Sequence, residues 1–245
     1  MNNQFEFEHF WSMNFQSILN YEILLDYLYD DDALRVFNNK KGYMVFDGEL
    51  KQLSIDHPYR EHWLDVAKDS LLSTIRIMNN QIIVYISTIL ESSLIDFFQC
   101  LFRKEPSKVL ALNQFFDDSI ADLGFSYSDF LQYNSKDDYI YEIAERAAKK
   151  CNSGKLKSIL KRIKDISGLQ IPESITNEMI LLVKLRNEIV HEGISHDLNY
   201  DNLKKFSDEL ENLIRLLALK LYEFKINVVD PGDLLELYDH PEYKV

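Results

Sequence analysis

With 245 residues, 46% of them hydrophobic and 27% charged, and with only 7 glycines and 5 prolines, the chain can bury one large core and has a helical composition rather than that of a turn-rich sandwich. Its two cysteines, Cys100 and Cys151, form neither a disulfide framework nor a CxxC pair, which fits a reducing cytoplasm. The formal net charge of −13 argues against a protein that coats nucleic acid through phosphate contacts over its whole surface. The opening MNNQFEFEHFWSMN has no basic stretch followed by an apolar run, so it does not read as a signal peptide. The longest uninterrupted apolar stretch, residues 82–86, is too short to span a bilayer. The expectation is a soluble, cytoplasmic protein with no membrane partner.

Residues 9–30 read as a helix carrying Phe10, Phe15, Ile18, Leu19, Leu25 and Leu28, ended by Asp30, Asp31 and Asp32. Residues 34–37 and 43–46 flank a polar Asn-Asn-Lys-Lys-Gly turn and predict a short β-hairpin, the only credible β element. After His57 and Pro58, residues 59–77 look helical. Residues 79–103 form the strongest element, a helix apolar around most of its circumference and therefore central in a bundle. The stretch 104–130 is broken by Pro106, Gly124 and serines, with a short helix near 108–116. Helices follow at 138–151 and 155–168. The segment opened by Pro172 and closed by Gly193 is another. Residues 201–225 form a last amphipathic helix in heptad-like spacing. The resulting division is an N-terminal extension over 1–58, a helical bundle over 59–225 and a peripheral tail over 226–245.

Charge is unevenly distributed. Arg146, Lys149, Lys150, Lys155, Lys157, Lys161, Arg162 and Lys164 occur without an intervening acid, which leaves 19 basic against 40 acidic residues elsewhere. A basic strip on an acidic body suits a protein that grips one nucleic-acid segment and is repelled elsewhere. The alternative is a solvated helix face paired with acidic neighbours.

The constellation with chemical content is Leu185-Arg186-Asn187-Glu188-Ile189-Val190-His191-Glu192-Gly193. An arginine can stabilise charge on a phosphate in transition, and a histidine can move a proton near neutral pH. Spacing alone says little, since a chain of this composition yields such a pair roughly 0.6 times by chance. The helical wheel says more. Met179, Leu182, Val183, Ile189 and Val190 share one face, Arg186 falls in the middle of it, and Asn187 and His191 lie together on its edge. An arginine in an apolar stripe needs a partner or a polar cleft; a snorkelling or structurally paired side chain is the plainer reading. Glu91 lies in a similar stripe with Val84, Ile95, Phe98 and Phe102, and is the expected carboxylate partner of Arg186. His57 with His62, and His191 with His196, are five apart rather than i, i+4, and no further ligands complete a set. No metal and no cofactor are expected.

These residues resemble the HEPN (higher eukaryotes and prokaryotes nucleotide-binding) family, whose signature is an arginine, a polar residue and a histidine after a gap of four to six. Arg186, Asn187 and His191 fit it in the Rx4H form, on a helix followed by one more long helix. The resemblance implies an all-α bundle, here with the N-terminal extension, over residues 59–225. It also implies a metal-independent endoribonuclease acting as a homodimer with two motifs facing one cleft. His191 would serve as general base or acid and Arg186 would stabilise the transition state. Asn187 would orient them, and the product would be a 2′,3′-cyclic phosphate. Family members of this kind are toxins or antiviral defence effectors, some held by an antitoxin or regulatory protein. Others are non-catalytic dimerisation or binding modules. One subgroup carries a tyrosine two residues after the histidine, which a partner enzyme modifies; that position here is Gly193.

Overall fold

The computed structural model describes residues 3–41, 43–54, 57–116, 131–133, 135–230 and 235. The expected all-α bundle is what it shows, with two minor β pairs. A strand β1 (Gln4–Phe5) leads into helix α1 (Phe7–Tyr29). The acidic run then ends one helix and starts another. Asp30 leaves α1 in an extended conformation, and its Oδ1 accepts a hydrogen bond from the Ala33 amide at 2.8 Å. Asp31 and Asp32 occupy the first turn of α2 (Asp31–Lys41), where the exposed amide dipoles favour negative charge. Residues 34–37, expected as a strand, are therefore helical. The hairpin forms one step later, between β2 (Tyr43–Phe46) and β3 (Glu49–Gln52), with Val45 opposite Leu50. Its turn is Asp47-Gly48, both at positive φ (52° and 79°), the pairing that two-residue hairpin turns require.

Helix α3 (Tyr59–Lys104) has 46 residues and joins the two helices expected on either side of residue 78. The sequence between them holds no glycine or proline, so nothing interrupts the hydrogen-bond ladder. At 1.5 Å per residue it runs about 69 Å. By length and apolar content α3 passes as a candidate membrane span, yet half of its most apolar window is packed inside the bundle, as in any core helix. Ile83, Ile86, Leu90, Leu94, Phe97, Phe98 and Leu101 are fully buried along it, each contributing roughly 1.5–3 kcal/mol by leaving water.

A 3₁₀ segment (Pro106–Gln114) follows, then α4 (Lys136–Cys151), α5 (Leu156–Ser167), α6 (Glu173–Glu192) and α7 (Tyr200–Glu223). Gly124, expected to break the chain, and Pro231 and Gly232 of the tail lie outside the described residues. Helices α1, α4, α6 and α7 all pack on α3. The predicted heptad face of α7 is its buried face: Leu203, Phe206, Leu210, Leu213, Leu217 and Leu221 are all in the core.

The first and last segments are stitched together. Strand β1 pairs in parallel with β4 (Asn227–Val228), and the Val229 amide donates to the Phe5 carbonyl at 2.9 Å. Phe5, Phe7, Phe10, Ile18 and Tyr21 belong to the same core cluster as the buried face of α7. Asn14, fully buried, donates to the Ser207 carbonyl at 2.9 Å. The start of the tail, expected to be peripheral, is thus held by backbone pairing and by buried Ile226.

Candidate functional site

Helix α6 carries the motif, and its ends are set locally. Pro172 stands at its N-cap, and Gly193 ends it in the left-handed region at φ 67° and ψ 19°. The amides of Gly193 and Ile194 both return to the Glu188 carbonyl, the latter at 3.1 Å. This closure needs a residue that tolerates positive φ, which explains the glycine directly after the motif.

Beyond Gly193 the chain is gripped by two adjacent asparagines of α3. The Asn80 amide nitrogen donates to the His196 carbonyl at 3.0 Å, and its oxygen accepts from the His196 amide at 3.0 Å. Asn79 donates to the Leu198 carbonyl and accepts from the Tyr21 hydroxyl. Both asparagines are buried, so their polar groups require these partners. The imidazole of His196 returns to the motif helix: Nε2 lies 3.0 Å from Glu188 Oε2, close enough for an ion pair once protonated though not aligned as a hydrogen bond. The end of α6 is thereby fixed to the central helix. Sequence reasoning does not find this brace of Asn79, Asn80, Glu188 and His196. The signal available is a polar pair at the start of the most apolar run in the chain.

The three motif residues come together on this end. Arg186 Nη1 donates to Asn187 Oδ1 at 3.1 Å and lies 3.3 Å from His191 Nε2. A guanidinium only donates, so in this contact Nε2 can serve only as the acceptor. Asn187 and His191 are exposed, and Arg186 is half-buried. The apolar face around Arg186 is buried only in its first part. Ile175, Met179 and Leu182 are fully covered, whereas Val190 is 47% exposed and Ile194, just past the helix, is 42% exposed. Arg186 thus lies where the stripe emerges from the bundle, and it meets solvent and its own helix rather than a buried charge.

Among the described residues no ion pair joins Arg186 to Glu91; Nη1 of the guanidinium contacts Asn187 and His191 instead. This turn of α3 packs instead against the α4–α5 junction, where Asn152 donates to the Glu91 carbonyl at 3.3 Å.

The basic strip divides in two. Arg162, only 8% exposed, donates to the carbonyls of Cys151 and Ser153 at 2.6 and 2.7 Å and lies over the Phe116 ring at 4.6 Å. Through Nη1 it caps the end of α4. Its burial pushes its pKa down. Lys150 also lies over Phe116, at 5.2 Å. Lys149 pairs with Glu145 at 2.6 Å, as Arg146 does with Glu142 at 2.8 Å. The Lys149–Glu145 contact moves the two pKa values apart, the amine up and the carboxyl down. Lys155, at the N-cap of α5, and Lys157, Lys161 and Lys164 on the helix are exposed. The last three share one helical face at spacings of four and three.

Among the described residues no three His, Cys, Asp or Glu side chains gather as a metal-binding group. Both cysteines are buried free thiols, with pKa values pushed up by burial, Cys151 to about 12. Thiols held in this state are poor nucleophiles.

Neither the curated proteins nor the solved structures compared with the chain yield a match. Residues 64–223, well over half of its length, match the family model described as RiboL-PSP-HEPN. The matched span begins inside α3, ends at the last residue of α7 and contains the whole Arg186–His191 arrangement; the chain belongs to the RiboL-PSP-HEPN family.

Proposed function

We propose that the chain is a metal-independent, cytoplasmic endoribonuclease that cleaves RNA through the 2′-hydroxyl, in the role of a toxin or antiviral defence effector. The observation that carries this reading is the contact of Arg186 Nη1 with His191 Nε2 at 3.3 Å, on an exposed helix end held rigidly by Asn80. His191 Nε2 takes the proton from a ribose 2′-hydroxyl, O2′ bonds to phosphorus, and the bond from phosphorus to the leaving O5′ breaks as that oxygen takes a proton from water, the hydroxide so formed recovering the proton from His191. The products are a 2′,3′-cyclic phosphate and a 5′-hydroxyl. Arg186 balances charge on the phosphoryl oxygens, and Asn187 holds the guanidinium in place.

In the unliganded contact the histidine lone pair is engaged by the arginine. A phosphate arriving at Arg186 offers that guanidinium a stronger, charged acceptor, which frees Nε2 for the 2′-hydroxyl. The half-exposed Val190 and Ile194 beside the motif suit a homodimer in which two motifs share a cleft. Lys157, Lys161 and Lys164 supply a phosphate-binding edge. An antitoxin or other regulatory protein would then keep the nuclease silent.

A second reading, a non-catalytic HEPN-type dimerisation or binding module, draws support from the net charge of −13. The deciding experiment incubates purified wild type and His191→Ala with a mixed RNA pool and maps the new ends. Cleavage by wild type alone, with cyclic phosphate termini, supports the nuclease. Equal survival of the RNA, together with no growth defect on expressing wild type, supports the binding module.

A further inference from the structure

The hairpin of β2 and β3 precedes the span that matches the family model. Its foot, at the start of α3, lies about 30 Å along that helix from Asn80, so what the hairpin does is independent of the nuclease reading. That foot is fixed. Arg60, in the first turn of α3, donates from Nε to the Ser54 carbonyl at 3.1 Å and from Nη2 to the Leu53 carbonyl, and Leu53 is buried. The blade above it is bare. All four residues of β3 are exposed, and the cross-strand neighbours Val45 and Leu50 are 63% and 69% exposed. A two-stranded ribbon with an uncovered apolar face is marginal in water by itself.

The backbone of β3 is open along its outer side as well. The Asp47-Gly48 turn bonds Phe46 to Glu49, and antiparallel alternation then turns the N–H and C=O of Leu50 away from β2. Among the described residues no further strand or backbone hydrogen bond covers that edge. On the face opposite Leu50, the Glu49 and Lys51 side chains stand 3.4 Å apart, both more than half exposed. Along the strand the order is acid, apolar, base, which an antiparallel copy of the same strand meets as base, apolar, acid.

We infer that the outer edge of β3 pairs with the same edge of a second copy of this chain, antiparallel and centred on Leu50, to give a four-stranded sheet. In that register Leu50 exchanges both backbone hydrogen bonds with Leu50 of the second copy. Glu49 then faces Lys51 of the second copy, and Lys51 faces its Glu49, in the non-hydrogen-bonded pairs where side chains approach most closely. On the other face Val45, Leu50 and their two counterparts form one apolar row across the sheet, which covers what the single chain leaves bare. The adjacent registers that keep the ladder, a slip of two residues either way, set Glu49 against Glu49 or Lys51 against Lys51. Charge therefore selects the central one. The edge of β2 has no such code, because Tyr43-Met44-Val45-Phe46 is uncharged. Pairing β2 of one copy with β3 of the next is heterologous and does not close on a two-fold axis. With four residues a side the contact is small and belongs with weak, concentration-dependent associations.

The test titrates a fluorescently labelled full chain with unlabelled chain. Every chain carries Val190→Asp, so that association at the motif end does not enter. The parent should associate with itself. Glu49→Lys and Lys51→Glu should each weaken self-association by about tenfold or more, because both symmetry-related pairs become like-charged. Mixed with one another, these two variants regain opposite charge at both pairs, and their affinity should return to near that of the parent. Leu50→Asp should weaken association with every other chain. All three positions are exposed, so thermal melts of the variants should overlay that of the parent. The inference is overturned if the parent stays monomeric, which leaves the edge to a strand of another protein. It is also overturned if either charge reversal leaves self-association unchanged, or if the mixed variants associate no better than each does alone.

Discussion

Arg162 and Arg186 stand on neighbouring helices of one bundle and do opposite things. Arg162 is buried at the α4–α5 junction, with its donors turned onto the carbonyls of Cys151 and Ser153. Arg186 is half-buried where an apolar face emerges, and its contacts are two polar side chains of its own helix. The first arrangement is closed: Nη1 is committed to the end of a helix, and the side chain as a whole is buried. The second is open, because Asn187 and His191 are exposed and a charged acceptor can displace either contact. Charge at the surface of this bundle therefore has to be judged by what its donors already hold. Position in a basic stretch of sequence does not decide it.

The sharpest way to break this contrast is to remove each arginine in turn. Arg186→Ala should lower RNA cleavage by about a thousandfold, as for other groups that stabilise transition-state charge, with an unchanged melting temperature. Arg162→Ala should do the reverse. It leaves the buried Cys151 carbonyl and the part-buried Ser153 carbonyl without this donor and should cost about 2 kcal/mol of stability in urea unfolding, with RNA cleavage by the remaining folded protein unaffected. A stability loss for Arg186→Ala as large as that for Arg162→Ala would erase the distinction.

A smaller effect separates the open lysines from the closed arginine. Replacing Lys157, Lys161 and Lys164 together with alanine should weaken RNA binding about tenfold at physiological salt and flatten the dependence of log affinity on log salt by about 2 to 3. Their exposed positions make a change in folding stability negligible. An unaltered salt slope would return the strip to the role of a solvated face.

The smallest effect concerns an acid that is closed in the same sense as Arg162. Burial raises the pKa of Asp96 to about 6, although the Glu6 amide, 3.4 Å from Oδ2, pulls it back. A carboxyl whose pKa is higher folded than unfolded costs stability above the folded value, and the cost disappears as pH falls toward the unfolded one. Asp96→Asn should therefore stabilise the protein by about 1 kcal/mol at pH 8, with the gain fading between pH 6 and pH 4. A gain that persists at pH 4 would mean that the charge is not its source.

Much of this bundle is legible in the sequence because helical periodicity survives without knowledge of tertiary contacts. The apolar face of α7 and the two ends of α6 follow from residue spacing, Pro172 and Gly193. The misplacements have local causes. Asp30 is legible as a stop, but it also caps the next helix, so the apolar run inside α2 resembles a strand; the hairpin then turns at Asp47-Gly48 instead of residues 38–42. Arg186, Asn187 and His191 come together because i, i+1 and i+5 on one helix are fixed by sequence. Glu91 fails as a partner because that contact depends on the register between two helices, which a wheel drawn for each one separately does not contain. The Asn80–His196 brace is hidden for the same reason.

The β1–β4 pair has a consequence for how the molecule comes into being. Gln4 and Phe5 pair with Asn227 and Val228, which are made more than two hundred residues later. Closing so long a loop is slow compared with forming any of the helices inside it. During synthesis the motif helix α6 is complete well before the strand that fastens α1 over α7 exists. A nascent chain thus carries Arg186 and His191 on a body still unlatched at its seam, and that interval, rather than the finished fold, is when another protein would have the widest access to it.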